Sequence, residues 1–378
     1  MKRTLSDRIV ADLDRKLVIL TGPRQVGKTT LAQQLMAIKV PAQYLNWDIP
    51  EDRTVLLRRS WDRQTRLLVM DEIHKMSEWK TWLKGIVDGR APHQALLVTG
   101  SARMDTFRQS GESLAGRYFS WHLHPISVHE WCATHPDTTP EAALRHLMQR
   151  GGFPEPCLAS TDEEANRWRA QYASDLIRED ILEFSRLHEV NAMRLFLDIL
   201  RSRVGSPLSL ASIARDLAIA PSTLKRYLDI LQALFIVFTV QPWHRNIARA
   251  TLQASKVYFY DTGMVQGDEG IKFENATATM LLKHVHFRRD SKGCNTHLHY
   301  LRTKDGAEVD FAISEDDELV QLIECKYADN HLHRALTRFA EAFPTTQAIQ
   351  LVANLRQNET RGRVAIRQAG DWLAKLEA

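Results

Sequence analysis

At 378 residues the chain is long for a single hydrophobic core, and two or three domains are expected. Its 44% hydrophobic and 25% charged content is ordinary for a soluble globular protein, and the formal net charge of +4 permits nucleic acid as a partner without requiring it. Four scattered cysteines with no CxxC pair argue against a disulfide framework or a thiolate zinc site, and no run approaches the roughly eighteen apolar residues of a membrane span.

The charged start, Met1 to Arg8, lacks the apolar run of a secretory leader, so a cytoplasmic location and no membrane partner are expected. Residues 1–16 read as a short amphipathic helix. The apolar run from Leu17 then breaks into Thr21-Gly-Pro-Arg-Gln-Val-Gly-Lys-Thr-Thr30, and a helical pattern follows. Strand, glycine-rich loop and helix in that order form a phosphate-binding loop, in which backbone N–H groups turn inward around an anion. The expected nucleotide contacts are therefore Gly22, Pro23, Arg24, Gln25, Val26, Gly27, Lys28, Thr29 and Thr30. Lys28 places a positive charge between the terminal phosphates, and the Thr29 hydroxyl is placed to ligate Mg²⁺.

After a helix from Lys28 to Met36 and a strand from Gln43 to Asp48, Arg66 to Glu72 supplies four apolar residues ending in two acids. Asp71 is placed to hold the Mg²⁺ shell, and Glu72 to polarise a water for attack on the γ-phosphate. The next strand, Ala95 to Ser101, ends in hydroxyls. Thr99 or Ser101 is suited to contact the γ-phosphate or the attacking water, while helix capping by Ser101 is an equal alternative. Arg117 lies in a turn before another strand. Two readings stand for it: an arginine finger reaching the nucleotide of a neighbouring subunit, or a surface residue. Strands alternating with helices predict a parallel, right-handed, three-layer α/β sheet.

Thr21 to Thr30, Val69-Met-Asp-Glu-Ile-His74, Leu97-Val-Thr-Gly-Ser101, Leu114-Ala-Gly-Arg117 and Pro125-Ile-Ser-Val-His-Glu130 together resemble a widespread prokaryotic family. Its members join an AAA-type ATPase to a C-terminal region of poorly defined function. The resemblance extends over essentially the whole chain and implies ATP and Mg²⁺ as cofactors.

Gly151-Gly-Phe-Pro-Glu-Pro156 is a breaker cluster and the expected hinge closing the ATPase unit. Leu208 to Ala218, a turn at Ile219 to Pro221, and Ser222 to Leu234 read as a helix-turn-helix, with the apolar strand Phe235 to Val240 opening a wing. In a DNA reader of this type Ser222, Thr223, Lys225 and Arg226 would face the major groove; three-helix units also serve purely as protein-interaction modules.

In the C-terminal part, Lys256 to Asp261 reads as a strand and Phe273 to Val285 as a helix. Glu274 lies on the packed face of that helix, or simply in a first turn that favours a carboxylate. Two strands follow, Glu308 to Ile313 and Gln321 to Tyr327, joined as a hairpin by an acidic loop. Asp310 on the first, then Glu324 and Lys326 on one face of the second, resembles the PD-(D/E)XK nuclease core. That resemblance implies that Asp310 and Glu324 bind Mg²⁺, that Lys326 positions or activates water, and that Glu274 is the helical acid. Val309 stands where the pattern has proline, and a fold whose chemistry has lapsed is the alternative. The pairs His284/His286 and His297/His299, in a basic segment, read as solvated or phosphate-facing surface.

The expected organisation is therefore an AAA-type P-loop ATPase domain over 1–150, a helical and winged-helix-like region over 151–250, and a PD-(D/E)XK-like α/β domain over 251–378. The implied protein hydrolyses ATP, assembles as a homo-oligomer, for example a hexameric ring, and binds or remodels DNA. The alternative is an ATP-operated switch whose C-terminal half binds a protein and cuts nothing.

Overall fold

The structure is a computed structural model that describes residues 1–100, 114–176, 187–244, 254–329 and 331–378. The chain divides into two compact units. One comprises Met1–His124 with Ala233–Phe235, and the other Pro125–Gln232 with Ile236–Ala378. The boundary expected near residue 150 thus falls inside the second unit.

In the first unit, α1 (Ser6–Leu13) precedes β1 (Leu17–Thr21), and α2 (Lys28–Ile38) precedes β2 (Ala42–Asn46). Then come α3 (Pro50–Arg58), β3 (Leu67–Asp71), α4 (Trp79–Asp88), β4 (Ala95–Thr99) and β5 (Tyr118–His122). The strands form one sheet in the order β2-β3-β4-β1-β5, and every recorded pairing is parallel. Every residue of β1, β3 and β4 is buried. Near-continuous apolar strands of this kind belong at the centre of a sheet covered on both faces. Leu17, Ile19, Leu68, Met70, Leu96 and Val98 from these strands pack with Leu83 and Ile86 of α4 in one core cluster. The register sets Asp71 beside Thr99, and Leu20 beside Thr99, at the carboxyl edge of the sheet. Ligands of open α/β sheets bind at that edge.

In the second unit, α5 (Val128–Thr134), α6 (Pro140–Arg150), α7 (Pro154–Leu158), α8 (Asp162–Asp175), α9 (Leu187–Arg201), α10 (Leu210–Asp216) and α11 (Pro221–Ala233) come first. They are followed by β6 (Val237–Pro242), β7 (Lys256–Phe259), α12 (Glu269–Lys292), β8 (Thr296–Arg302), β9 (Glu308–Glu315) and β10 (Glu318–Lys326). The chain ends with α13 (Arg334–Ala342), β11 (Gln347–Val352), β12 (Glu359–Arg361), β13 (Val364–Gln368) and α14 (Ala369–Leu373). Eight strands make one mixed sheet in the order β12-β13-β11-β10-β9-β8-β6-β7. The strand expected to open a wing is β6, which joins this sheet between β8 and β7. Helix-turn-helix and C-terminal segments therefore share one unit, because β6 buries Val237, Phe238 and Val240 in the larger sheet.

Gly151 and Gly152 lie within this unit. A Cβ on Gly151, whose φ is 71°, would come within 1.8 Å of the Asp261 carboxylate, and one on Gly152 within 2.6 Å of the Ile126 carbonyl. These glycines serve close packing rather than a hinge between units. Asp261, which is buried, pairs with Arg169 of α8 at 2.9 Å.

Two bulges shape the middle of the sheet. Between β8 and β9 the pairing moves from His299–Ala312 to Leu301–Val309, so Asp310 and Phe311 together stand opposite Tyr300. Between β9 and β10 it moves from Leu319–Ser314 to Gln321–Ile313, which leaves Val320 as the extra residue. Asp316 and Asp317, both with positive φ, turn the hairpin, and Asp310 and Glu324 stand one step beyond the Phe311–Ile323 pair. Bulges of this kind re-aim side chains and recur beside sites.

Candidate functional site

The loop after β1 is built as its sequence requires. Gly27, with φ of 101°, sits at the start of α2 in a conformation that side chains resist. A Cβ on Gly22 would meet the Leu123 carbonyl oxygen at 2.3 Å. Lys28 is buried and its ammonium donates to the carbonyls of Gly22 at 3.0 Å and Pro23 at 2.8 Å. Burial pulls Lys28 down to about 8, against the Glu72 and Asp71 carboxylates. Arg24, Gln25, Thr29 and Thr30 are exposed at the mouth of the loop, and Val26 is buried beneath it.

Asp71, at the end of β3, is held by three donors. The Thr99 hydroxyl reaches one carboxylate oxygen at 2.5 Å, the Glu72 N–H reaches the same oxygen at 3.1 Å, and the Tyr44 phenol donates to the other. Burial and the bond to Asp71 raise the Tyr44 phenol, so it stays a donor. Thr29 and Asn46 stand close enough to the Tyr44 phenol to oppose that rise in part. The two residues expected around Mg²⁺, Thr29 and Asp71, thus both lie near one phenol. Converging hydroxyl and carboxylate oxygens suit a hard cation, and the residues present fit Mg²⁺ bound with a nucleotide.

Glu72 follows with φ of 56°, which turns its side chain out of the strand. It lies 3.5 Å from His74 Nε2 and 3.8 Å from Lys75 Nζ. Burial, then the neighbouring Asp71 charge, holds its carboxyl above the usual range. Thr99 is fully buried and committed to Asp71, and Ser101 lies outside the described residues. Arg117 pairs with Asp88 at the end of α4 through two bonds of 2.8 and 3.2 Å near the protein surface.

Sequence reasoning missed Tyr44 and Arg3. Arg3 is buried, donates to the loop carbonyl of Val26 at 3.1 Å and to that of His124, and so braces the loop from beneath. The charged start from Met1 to Arg8 carries no hint of this.

The carboxylates of the second unit are gathered too, around a residue the sequence did not flag. Lys256, at the start of β7, is 1% exposed and its ammonium lies 2.7 Å from Glu308, 3.5 Å from Glu274 and 3.5 Å from Asp310. Burial opposes its charge, but these three acids outweigh that and hold the ammonium well above its usual range. Glu274 also accepts from the Tyr258 phenol at 2.7 Å, and burial followed by the Asp310 charge pushes it up to about 7. Asp310 accepts from the Cys325 N–H at 2.9 Å. Glu324 is buried, pairs with Lys326 at 2.7 Å, and lies 3.2 Å from His333 Nδ1 without hydrogen-bond geometry. Burial and Asp310 push Glu324 up to about 8. Among the described residues no three His, Cys, Asp or Glu side chains are arranged to hold a metal ion. With Lys256 between Glu274 and Asp310, these residues do not fit one.

On the helix-turn-helix, Ser222, Lys225 and Arg226 are exposed on α11 and Thr223 is half-buried. Lys225 pairs with Asp229 at 2.6 Å, and the Arg226 guanidinium stands 5.8 Å from the Tyr227 ring centre. His299 and His284 are each held down to about 4, chiefly by burial. No described helix is long and apolar enough to cross a membrane.

Comparison with known proteins finds three matched segments. Residues 14–132 match the family of AAA domains, residues 141–272 a domain of unknown function (DUF8612), and residues 269–369 another (DUF4143). Uncharacterized proteins of Mycobacterium bovis and Mycobacterium tuberculosis are each 30% identical over 257 residues, covering 68% of this chain and 56% of theirs. The chain thus spans a little over half the length of these curated relatives. Among solved structures, a Walker-type ATPase of Pyrococcus abyssi is similar at 15% identity, covering 68% of this chain and 93% of that one, with a TM-score of 0.44. RuvB of Thermotoga maritima is similar at 17% identity over 63% of this chain and 89% of that one, with a TM-score of 0.33. The family match falls on the parallel sheet and on the loop that gathers Lys28, Asp71 and Glu72, and the first unit is an AAA-type P-loop ATPase domain.

Proposed function

We propose that this protein hydrolyses ATP in its first unit and couples the cycle to DNA held by its second. The observation that carries the ATPase reading is the gathering of Lys28, Thr29, Asp71 and Glu72 at the carboxyl edge of one parallel sheet. Lys28 and the loop N–H groups hold the phosphates, Glu72 takes a proton from the attacking water, and Thr99 and Tyr44 fix the Asp71 carboxylate. Thr29 and Asp71 would hold Mg²⁺, which would supply neutralisation of the phosphate charge.

The DNA reading is supported by the exposed Ser222, Lys225 and Arg226 on α11 and by the order helix, three antiparallel strands, helix, parallel strand from α12 to β11. That order and the placement of Asp310, Glu324 and Lys326 resemble the PD-(D/E)XK core. A homo-oligomer in which Arg117 completes a neighbour's site belongs to the same proposal. The second reading, a switch whose C-terminal half binds a protein partner and cuts nothing, is favoured by the internal neutralisation at Lys256.

The test is ATP turnover by the full chain with and without single-stranded, duplex and branched DNA. Stimulation by DNA is expected, Glu72→Gln should bind ATP without turnover, and Lys28→Ala should lose binding. Turnover by Glu72→Gln at the parent rate overturns the base assignment; turnover indifferent to every DNA favours the second reading.

A further inference from the structure

We propose that Lys256 is the resident cation of the acidic cluster in the second unit, taking the position a divalent metal would occupy between Glu274 and Asp310, so that the cluster holds together without a metal and carries no metal-dependent cleavage. The inference deepens the nuclease-like reading of this unit and rests on it.

Three observations carry it. The ammonium is 1% exposed, and its three carboxylate partners come from a helix, Glu274 of α12, and from one strand, Glu308 and Asp310 of β9. An acid cluster this tight repels itself unless a cation lies inside it. Lys256 is that cation, and its place is set by backbone, because β7 pairs with β6 as Val240–Lys256. The second observation is the Tyr300 ring, whose centre lies 5.4 Å from the ammonium and closes another side of the position. The third is the wall behind Glu274. Gly205, with φ of 74°, brings its backbone so near that a Cβ there would lie 2.7 to 2.9 Å from the Glu274 carboxylate atoms. Mg²⁺ dehydrates reluctantly and keeps several waters, and the place it would take with them is filled by the Lys256 side chain. The far side of the cluster is neutralised separately, by Lys326 on Glu324 at 2.7 Å.

The experiment is Mn²⁺ binding by the nucleotide-free full chain, followed by the loss of free-ion electron paramagnetic resonance signal and by thermal melting. The parent protein should bind no Mn²⁺ that Asp310→Asn abolishes. Lys256→Ala, which removes the charge and vacates the position, should melt lower than the parent in chelator. It should then gain one Mn²⁺ and a rise of about 5–10 °C at a hundredfold excess over its Kd. Mn²⁺ bound by the parent and lost in Asp310→Asn overturns the proposal, as does a folded Lys256→Ala that gains no Mn²⁺. Should Lys256→Ala fail to fold, the parent and Asp310→Asn titrations decide alone. DNA binding by fluorescence anisotropy is scored separately, so a failure of the DNA reading is distinguishable from a failure of this one.

Discussion

Tyr44 shows how one side chain can link a loop to a strand. Its phenol donates to Asp71 and lies near Thr29, so it stands close to both residues expected around Mg²⁺. Outer partners of metal-holding side chains are worth about 10- to 100-fold in affinity or activity. Tyr44→Phe should therefore weaken ATP binding by about that factor in Mg²⁺ and far less in chelator, as read by a fluorescent ATP analogue. Equal weakening in both would place Tyr44 in the fold alone.

Lys28 leads to a pH dependence. Burial holds it down to about 8 in the nucleotide-free protein, and bound phosphates favour its charged form. Below that pH the ammonium is already charged and ATP affinity is flat. As pH rises past about 8, binding must first recharge the lysine, so affinity should fall by up to about tenfold per pH unit. Calorimetry at pH 9 in buffers of different ionisation enthalpy should report uptake of a proton on binding.

At the scale of elements, the second unit is pinned by ion pairs that join distant segments. Arg169 on α8 meets Asp261 just beyond β7, and Lys283 on α12 meets Glu130 on α5 at 2.5 Å, all four buried. Removing one partner leaves an uncompensated buried charge, at a cost of about 3–5 kcal/mol. Arg169→Met should lower the stability of this unit by about that amount in denaturant melts, with the first unit's ATP binding unchanged. A loss under about 1 kcal/mol would mean that Asp261 takes up a proton and tolerates its isolation.

These elements also mark how far a sequence can be read. Apolar runs ending in Thr21 and Asp71 announced β1 and β3, and the glycines announced the loop, because buried parallel strands and phosphate loops are written locally. Asp310, Glu324 and Lys326 were legible by the alternation of a hairpin. Lys256 was not, for a lysine opening a short strand looks exposed until the strand is laid at the sheet's edge with its side chain turned inward. Gly151 misled for a related reason: a breaker dipeptide was read as a hinge, whereas its lack of a side chain accommodates Asp261 and Arg169.

For the whole molecule, Arg117 decides between a self-sufficient ATPase and one completed by a neighbour. Within one chain it pairs with Asp88 near the surface, an exposed pair of little energetic weight. An arginine finger is worth on the order of 10³–10⁵ in rate. Arg117→Ala should therefore fold normally, lose most turnover, and recover part of it when mixed with inactive Glu72→Gln protein. Full turnover by a monodisperse monomer would sink the shared site.

The irregularity after Leu319 has a consequence for how the hairpin tolerates change in length. Val320 is slack: it lets the strand reach Glu324 one residue later than the turn at Asp316–Asp317 alone would dictate. A chain lacking Val320 would zip evenly from the turn and still set Glu324 across from Asp310. The same loss on the cluster side of Gln321 would draw Cys325 into that place and strand the glutamate a step away. Length is thus negotiable near the tip of this hairpin and fixed at its base.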